Sequence, residues 1–189
     1  MKAILTIHDL ERCLNRGGIV LYPTDTVWGL GCLVSKKDQV SKVYAIKERS
    51  RNQGIILLCS HCNQLGIELD KTTKQAIETF RNECPTTFVV PNTNRMLEAT
   101  EAQDGTIAFR IVPKGSYLAS ILSKLSSPIL STSANLKGMQ PAHRREEIDL
   151  SLVNQVDGVV EFTDTKGQTR PSRIMRYDAP GGKWSLVRE

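Results

Sequence analysis

Apolar residues recur along this chain at two spacings, and the spacing changes from segment to segment. Ile7, Leu10, Cys13 and Leu14 lie three or four apart, which predicts a helix over 7–16 with Thr6 as its N-cap and Gly17-Gly18 as its stop. Ile19 to Tyr22 is a short unbroken apolar run that reads as a buried strand, closed by Pro23. A polar, glycine-punctuated loop is expected from Pro23 to Gly31. Helical spacing returns over 36–47 with Val40, Val43, Tyr44 and Ile46, and a second buried strand follows at 55–59. Asp70 is placed to cap a helix over 71–82. Thr87 to Val90 and Thr106 to Val112 read as strands, the second alternating Ile107, Phe109 and Ile111 with Ala108 and Arg110.

Leu118, Ile121, Leu122 and Leu125 mark a helix over 116–125, and Pro128 to Ser131 a short strand. A helix over 145–154 and a strand from Gly158 to Phe162 come next. Ser172 to Glu189 reads as two strands around Asp178-Ala179-Pro180-Gly181-Gly182, a hairpin signal. Strands and helices intermix, which predicts an α/β fold with an open, twisted, mixed sheet and flanking helices. No repeat or composition break divides the chain, so one domain over 1–189 is expected. The stretch Thr163 to Pro171 is the best candidate for a flexible loop.

Composition adds exclusions. The longest aliphatic run, Ile55 to Cys59, is far too short for a membrane span, and charged residues from His8 onward leave no signal-peptide core. Five cysteines without framework spacing read as reduced thiols, so a cytoplasmic location and no membrane partner are expected. The +5 net charge suits an anionic partner such as nucleotide or RNA, though solubility alone explains this much.

Four segments could carry chemistry. Pro23 to Gly31 leaves a buried strand, where open α/β sheets place ligand loops; Thr24 and Thr26 offer hydroxyls there. A plain turn accounts for the same residues, and their types alone lean slightly to the turn. Lys47, Arg49 and Arg51 put three cations within five residues at a helix end, a phosphate clamp in waiting. Two such cations would be unremarkable beside a helix C-terminus; the third, with the adjacent strand, favours anion binding. Ser131-Thr132-Ser133-Ala134-Asn135 presents hydroxyls and an amide without a carboxylate, as phosphate oxygens or a simple Ser/Thr turn would each suit. Arg110 lies on the opposite strand face from Phe109 and Ile111, so alternation by itself points it to solvent. Arg170 to Arg173 is a weaker candidate. Cys59-Ser60-His61-Cys62 has no second half for a zinc site, and the chain contains no P-loop, nucleophile elbow or RNA-recognition signature. With two Trp, four Tyr and four Phe, a base-stacking platform is thinly supplied.

Taken in order, these segments resemble the YrdC/TsaC family of threonylcarbamoyl-AMP synthases in its short, single-domain form. The resemblance rests on Tyr22 to Gly31, Lys47-x-Arg49 before the 55–58 strand, Pro85 to Pro91, Ala108-Phe109-Arg110, Leu130 to Gly138, Pro171-Ser172 and Val187-Arg188. Ser50 departs from the usual proline, and Glu83-Cys84 from a usual Trp-Pro-Gly. The resemblance implies a concave, positively charged cavity and a nucleotidyltransferase that joins L-threonine, bicarbonate and ATP, giving pyrophosphate and an intermediate for tRNA threonylcarbamoyladenosine. It further implies Lys47 and Arg49 as catalytic cations. ATP contacts would come from Lys47, Arg49, Arg51, Ser133, Asn135 and Arg188; threonine contacts from Thr24, Arg110, Ser131 and Ser172. Mg2+ would arrive with ATP, with no direct protein ligands. Residues 163–171 become a candidate lid, and replacing Lys47 by alanine is expected to cost little stability. Implied partners are the three substrates, downstream threonylcarbamoyl-transfer proteins and, as an open question, tRNA itself. The competing class is a non-catalytic RNA-binding protein of tRNA or ribosome maturation.

Overall fold

The computed structural model describes residues 3–50, 53–161, 171–178 and 181–189. Among them ten strands form one open mixed sheet, in the order β1-β8-β2-β3-β7-β4-β6-β5-β9-β10. The strands are β1 (Ala3–Leu5), β2 (Val20–Tyr22), β3 (Gly29–Leu33), β4 (Ile56–Cys59), β5 (Thr86–Pro91), β6 (Thr106–Ile111), β7 (Ile129–Ser133), β8 (Gly158–Val160), β9 (Arg173–Asp178) and β10 (Lys183–Arg188). Five helices flank it: α1 (Ile7–Asn15), α2 (Lys37–Ile46), α3 (Lys71–Glu83), α4 (Tyr117–Leu122) and α5 (Leu150–Val153). The expected α/β class and open mixed sheet are what the chain forms. No helix among the described residues is long and apolar enough to cross a membrane.

Local chemistry sets the helix ends as read. Thr6 and Asp9 form a reciprocal capping box on α1, and Gly17 at φ 85° turns the chain away. Asp70 accepts from the Thr73 amide at the start of α3. At the other end of α3, Arg173 donates from Nη2 to Phe80 O at 2.9 Å and pairs through Nη1 with Glu83 Oε2 at 2.9 Å. That contact closes the backbone around Cys84, where the family pattern is departed from.

The pattern misled in three places. Gly29 to Leu33 is a central strand rather than loop, pairing β2 on one side and β7 on the other. Its glycines answer a packing demand: a Cβ on Gly31 would lie 2.4 Å from Leu130 O and 2.8 Å from Tyr22 Oη. The helix expected over 145–154 is broken into a 3-10 turn at Arg145–Glu147 and the short α5, because Asp149 caps the Ser151 amide instead of continuing a helix. The strand β1 went unread, being three residues long and an edge.

The two sheet faces are covered unequally. Leu21, Leu30, Leu57, Phe88, Phe109 and Leu130 point to the face packed by α2, α3 and α5. The alternate residues Val20, Tyr22, Leu33, Leu58 and Ile129 point to the other face, where α1 covers the β1–β3 end and α4 packs beside it against β4. Period-two alternation fixes which residues lie on each side.

Candidate active site

On the face shared with α1 and α4, where those helices leave the sheet uncovered, lies a cavity of about 350 Å³. Its floor follows directly from register. Gly29 pairs Ser133, Ile56 pairs Ser131 and Ala108, Leu58 pairs Arg110, and Val89 pairs Ala108. All line the cavity, as do Thr24, Thr26, Arg49, Ser172 and Arg188. Three arginines and no carboxylate stand in that lining among the described residues. A larger hollow of about 440 Å³ opens near the α1 C-terminus, but Asp9 and Asp157 are interspersed there with Arg12, Arg16 and Lys42. None of the candidate residues reaches it.

Arg110 is not at solvent. Its strand face was read correctly, but that face is the cavity floor, and the residue is only 5% exposed. The guanidinium donates from Nη1 to Thr26 Oγ1 at 3.1 Å, and Nη2 lies 3.0 Å from Asp25 Oδ1 as an ion pair. Asp25 Oδ2 and Arg110 Nε have no hydrogen-bond partner. Asp25 received no role from the sequence, where only the hydroxyls of its loop were singled out. A buried arginine was the signal that a carboxylate was needed nearby.

The Pro23 to Gly31 loop is held by its own hydroxyls. Thr24 Oγ1 donates to Val27 O at 2.7 Å and accepts from the Thr26 amide at 3.1 Å. With that proton committed, the 3.0 Å contact between the two threonines runs from Thr26 Oγ1 to Thr24 Oγ1. A directed chain results, from Arg110 through Thr26 and Thr24 to Val27 O. Thr24 lines the cavity, yet its polar atom is engaged in building the loop.

Lys47 and Arg49 part company. The C-terminus of α2 is a Schellman turn: Arg49 N donates to Tyr44 O and Glu48 N to Ala45 O, each at 3.0 Å. Glu48 occupies the left-handed position at φ 46°, where glycine is usual. The turn leaves Arg49 on the cavity wall. Lys47 instead donates to Ser133 O at 2.9 Å, to Asn135 O, and to Asn135 Oδ1 at 3.0 Å. An ammonium has three protons, and all three are used. Burial, and secondarily the charge of Arg49, lowers Lys47 to about 8 from an ordinary 10.5. Asn135 is equally occupied, accepting from Ser133 Oγ and donating to Leu136 O and Met139 O. The lining includes Arg49 and Ser133 but neither Lys47 nor Asn135. The four residues do converge, with Lys47 and Asn135 as the frame that holds Ser133. This differs from a direct lysine clamp.

The tail completes the rim. Ser172 Oγ and Thr87 Oγ1 are 2.8 Å apart, and Arg188 Nη2 donates to Ser172 O at 2.8 Å. Simple alternation would set Arg188 on the side of Trp184 and Leu186. A bulge at Val187 moves it opposite Ile174 and onto the cavity side. Arg173 of the weaker candidate group begins β9 and turns its side chain onto Phe80 O and Glu83 of α3 instead, while Arg51, Arg170 and the rest of 163–170 in the candidate lid lie outside the described residues.

The model of the family described as telomere recombination, Sua5/YciO/YrdC, matches residues 12–189. The chain belongs to the Sua5/YciO/YrdC family. A family member named threonylcarbamoyl-AMP synthase from Xylella fastidiosa strain 9a5c is 32% identical, over 92% of this chain and 94% of its own. One of the same name from Stutzerimonas stutzeri strain A1501 is 29% identical, over 90% and 91%. Escherichia coli YciO superposes with a TM-score of 0.78 at 26% identity, covering 97% of this chain and 88% of YciO. P. abyssi Sua5 complexed with L-threonine shares the fold, with a TM-score of 0.76 at 22% identity over 96% of this chain. This chain spans about half of that Sua5, 53%.

Proposed function

We infer that this protein is a threonylcarbamoyl-AMP synthase: it converts L-threonine, bicarbonate (or CO2) and ATP into threonylcarbamoyl-AMP and pyrophosphate. The observation that carries this reading is a cavity lined by three arginines and, among the described residues, no carboxylate, in a chain 32% identical to a synthase of that name. The chemistry needs such a cavity. The neutral threonine amine adds to the carbon of CO2 and loses a proton, giving a carbamate. A carbamate oxygen then attacks the α-phosphorus of ATP, and the bond to pyrophosphate breaks. Carbamate and triphosphate are both anions; two unit charges 4 Å apart at an effective dielectric of 20 repel by about 4 kcal/mol. Fixed guanidinium groups offset this without reorganising during the reaction.

Arg110 and Ser131 would take the threonine carboxylate, with Ser172 nearby and Thr24 shaping the loop beside it. Arg49 and Arg188 would take phosphate oxygens, and Lys47 and Asn135 would fix Ser133 for the same purpose. Mg2+ fits as an ion held by the triphosphate, since the lining offers arginines and hydroxyls rather than carboxylate ligands; it would supply further charge neutralisation. The product would serve threonylcarbamoyladenosine formation in tRNA through transfer proteins in the cytoplasm. The test is pyrophosphate release by purified protein with Mg-ATP. Release should require L-threonine and bicarbonate together. Release independent of either, or none at all alongside tight tRNA binding, overturns the reading.

A further inference from the structure

Tyr22 takes no part in the reading so far. Its side chain is fully buried, yet it carries a hydroxyl, and that hydroxyl donates to Ser131 Oγ at 2.7 Å. The ring reaches Ser131 by lying across β3. A Cβ on Gly29 would come within 3.2 Å of both the Tyr22 ring and Ser131 Oγ, and one on Gly31 within 2.8 Å of the phenol oxygen. The two glycines thus keep a path open for one contact.

That contact decides where a proton points. A serine hydroxyl has one proton and two lone pairs. Tyr22 fills one lone pair of Ser131, so the serine proton turns elsewhere, and Ser131 lines the cavity. The reverse arrangement would leave a phenolic O–H buried without an acceptor, which is the costlier orphan. Burial in turn keeps the phenol protonated, pushing Tyr22 above its ordinary value. The neighbouring hydroxyls are differently placed: the protons of Thr24, Thr26 and Ser133 are consumed within the protein.

We propose that Tyr22 is a positioning residue that turns the Ser131 proton into the cavity, so that Ser131 meets the amino-acid carboxylate as a donor beside Arg110. The proposal rests on the synthase reading and on Ser131 as part of its threonine site. Tyr22→Phe keeps the ring and removes only the proton director. It should raise the KM for L-threonine, and the Kd for L-threonine by calorimetry, about fivefold to tenfold. The KM for ATP and kcat should stay within twofold. Ser131→Ala should raise the threonine KM similarly, and adding Tyr22→Phe to it should change nothing more. An equal rise in both backgrounds makes Tyr22 merely structural; no rise with Tyr22→Phe alone sinks the proposal while leaving Ser131 in place. If Ser131→Ala does not alter threonine binding, the site assignment itself fails, and the proposal with it. A wild-type protein without activity or threonine binding fails the function reading first. Neutron diffraction from the deuterated wild-type protein tests the same point without a variant. The deuteron between the two oxygens should be bonded to Tyr22; one bonded to Ser131 overturns the proposal.

Discussion

Replacing Asp25 by asparagine isolates the buried pair beneath the cavity. At 3.0 Å and an effective dielectric of 20, the nominal attraction between Asp25 and Arg110 is about 5.5 kcal/mol. Much of it offsets desolvation of the two groups, so breaking such a pair by losing one partner costs about 3–5 kcal/mol. Asparagine keeps the volume and one acceptor, which sets the expectation near 3 kcal/mol. For a chain of this length each kcal/mol moves Tm by about 2–4 °C, so Tm should fall by about 6–12 °C. The loss should persist in 1 M salt, where an exposed pair would already be screened. An amino-acid carboxylate then becomes the remaining counter-ion of Arg110. Saturating L-threonine should therefore raise Tm more in the variant than in the wild type. The assay is thermal denaturation at low and high salt, with and without L-threonine. A drop below 2 °C, or one abolished by salt, would show that the pair does not behave as buried. An equal or smaller threonine-induced rise would show that Asp25 aids rather than opposes carboxylate binding.

Four other variants have definite signs. Lys47→Ala should abolish adenylate formation and, contrary to the expectation from sequence, destabilise the fold by about 1–3 kcal/mol in denaturant titrations, because three half-buried carbonyl acceptors lose their donor. In the wild type the folded protein binds the Lys47 proton more weakly than the unfolded chain. Its contribution to stability therefore rises between pH about 8 and 10.5, while activity that needs the cation falls as pH passes about 8 and is already low where stability is still rising. Parallel pH profiles of Tm and kcat should diverge there, and parallel decline refutes it. Glu48→Gly relieves the left-handed strain at φ 46° and should stabilise by about 0.5–1 kcal/mol with activity unchanged; a destabilised variant would mean that the Glu48 side chain holds something. Deleting Val187 removes the bulge but leaves the arginine opposite Ile174, so the KM for ATP should hardly change, whereas Arg188→Ala should raise it several-fold.

Much of the fold was legible because alternation and helical spacing are local. The caps at Thr6 and Asp70, the α2 span and the alternating β6 all appear in the chain where the residues put them. What escaped was decided by distant neighbours. Gly29 and Gly31 look like punctuation, but the reason for them is the Tyr22 ring and Leu130 O. Alternation told which side of β6 Arg110 takes; it could not tell that this side is a cavity rather than solvent, since that depends on helices α1 and α4 covering only part of the face. Lys47 was legible as a cation near the site, yet its three acceptors come from residues 86 and 88 positions away. Arg188 owes its place to a bulge, and Val187 carries no local mark of one.

These long-range contacts share a consequence. Around the cavity the protein spends protons inward wherever it can: Lys47 on carbonyls, Ser133 on Asn135, Thr24 on Val27 O, Thr26 on Thr24. Each such bond fixes an oxygen or a loop, and each removes a donor that water could otherwise reorient. Among the donors that remain in the lining are the guanidinium groups of Arg110 and Arg188, held by Thr26, Asp25 and Ser172 O, with Arg49 and the hydroxyl of Ser131. Donors held in this way need no rearrangement when negative charge grows on a bound ligand, which is where a polar site gains over water. A site built instead from freely rotating lysines and hydroxyls would carry the same formal charge. It would have to order those groups at each turnover and lose that advantage.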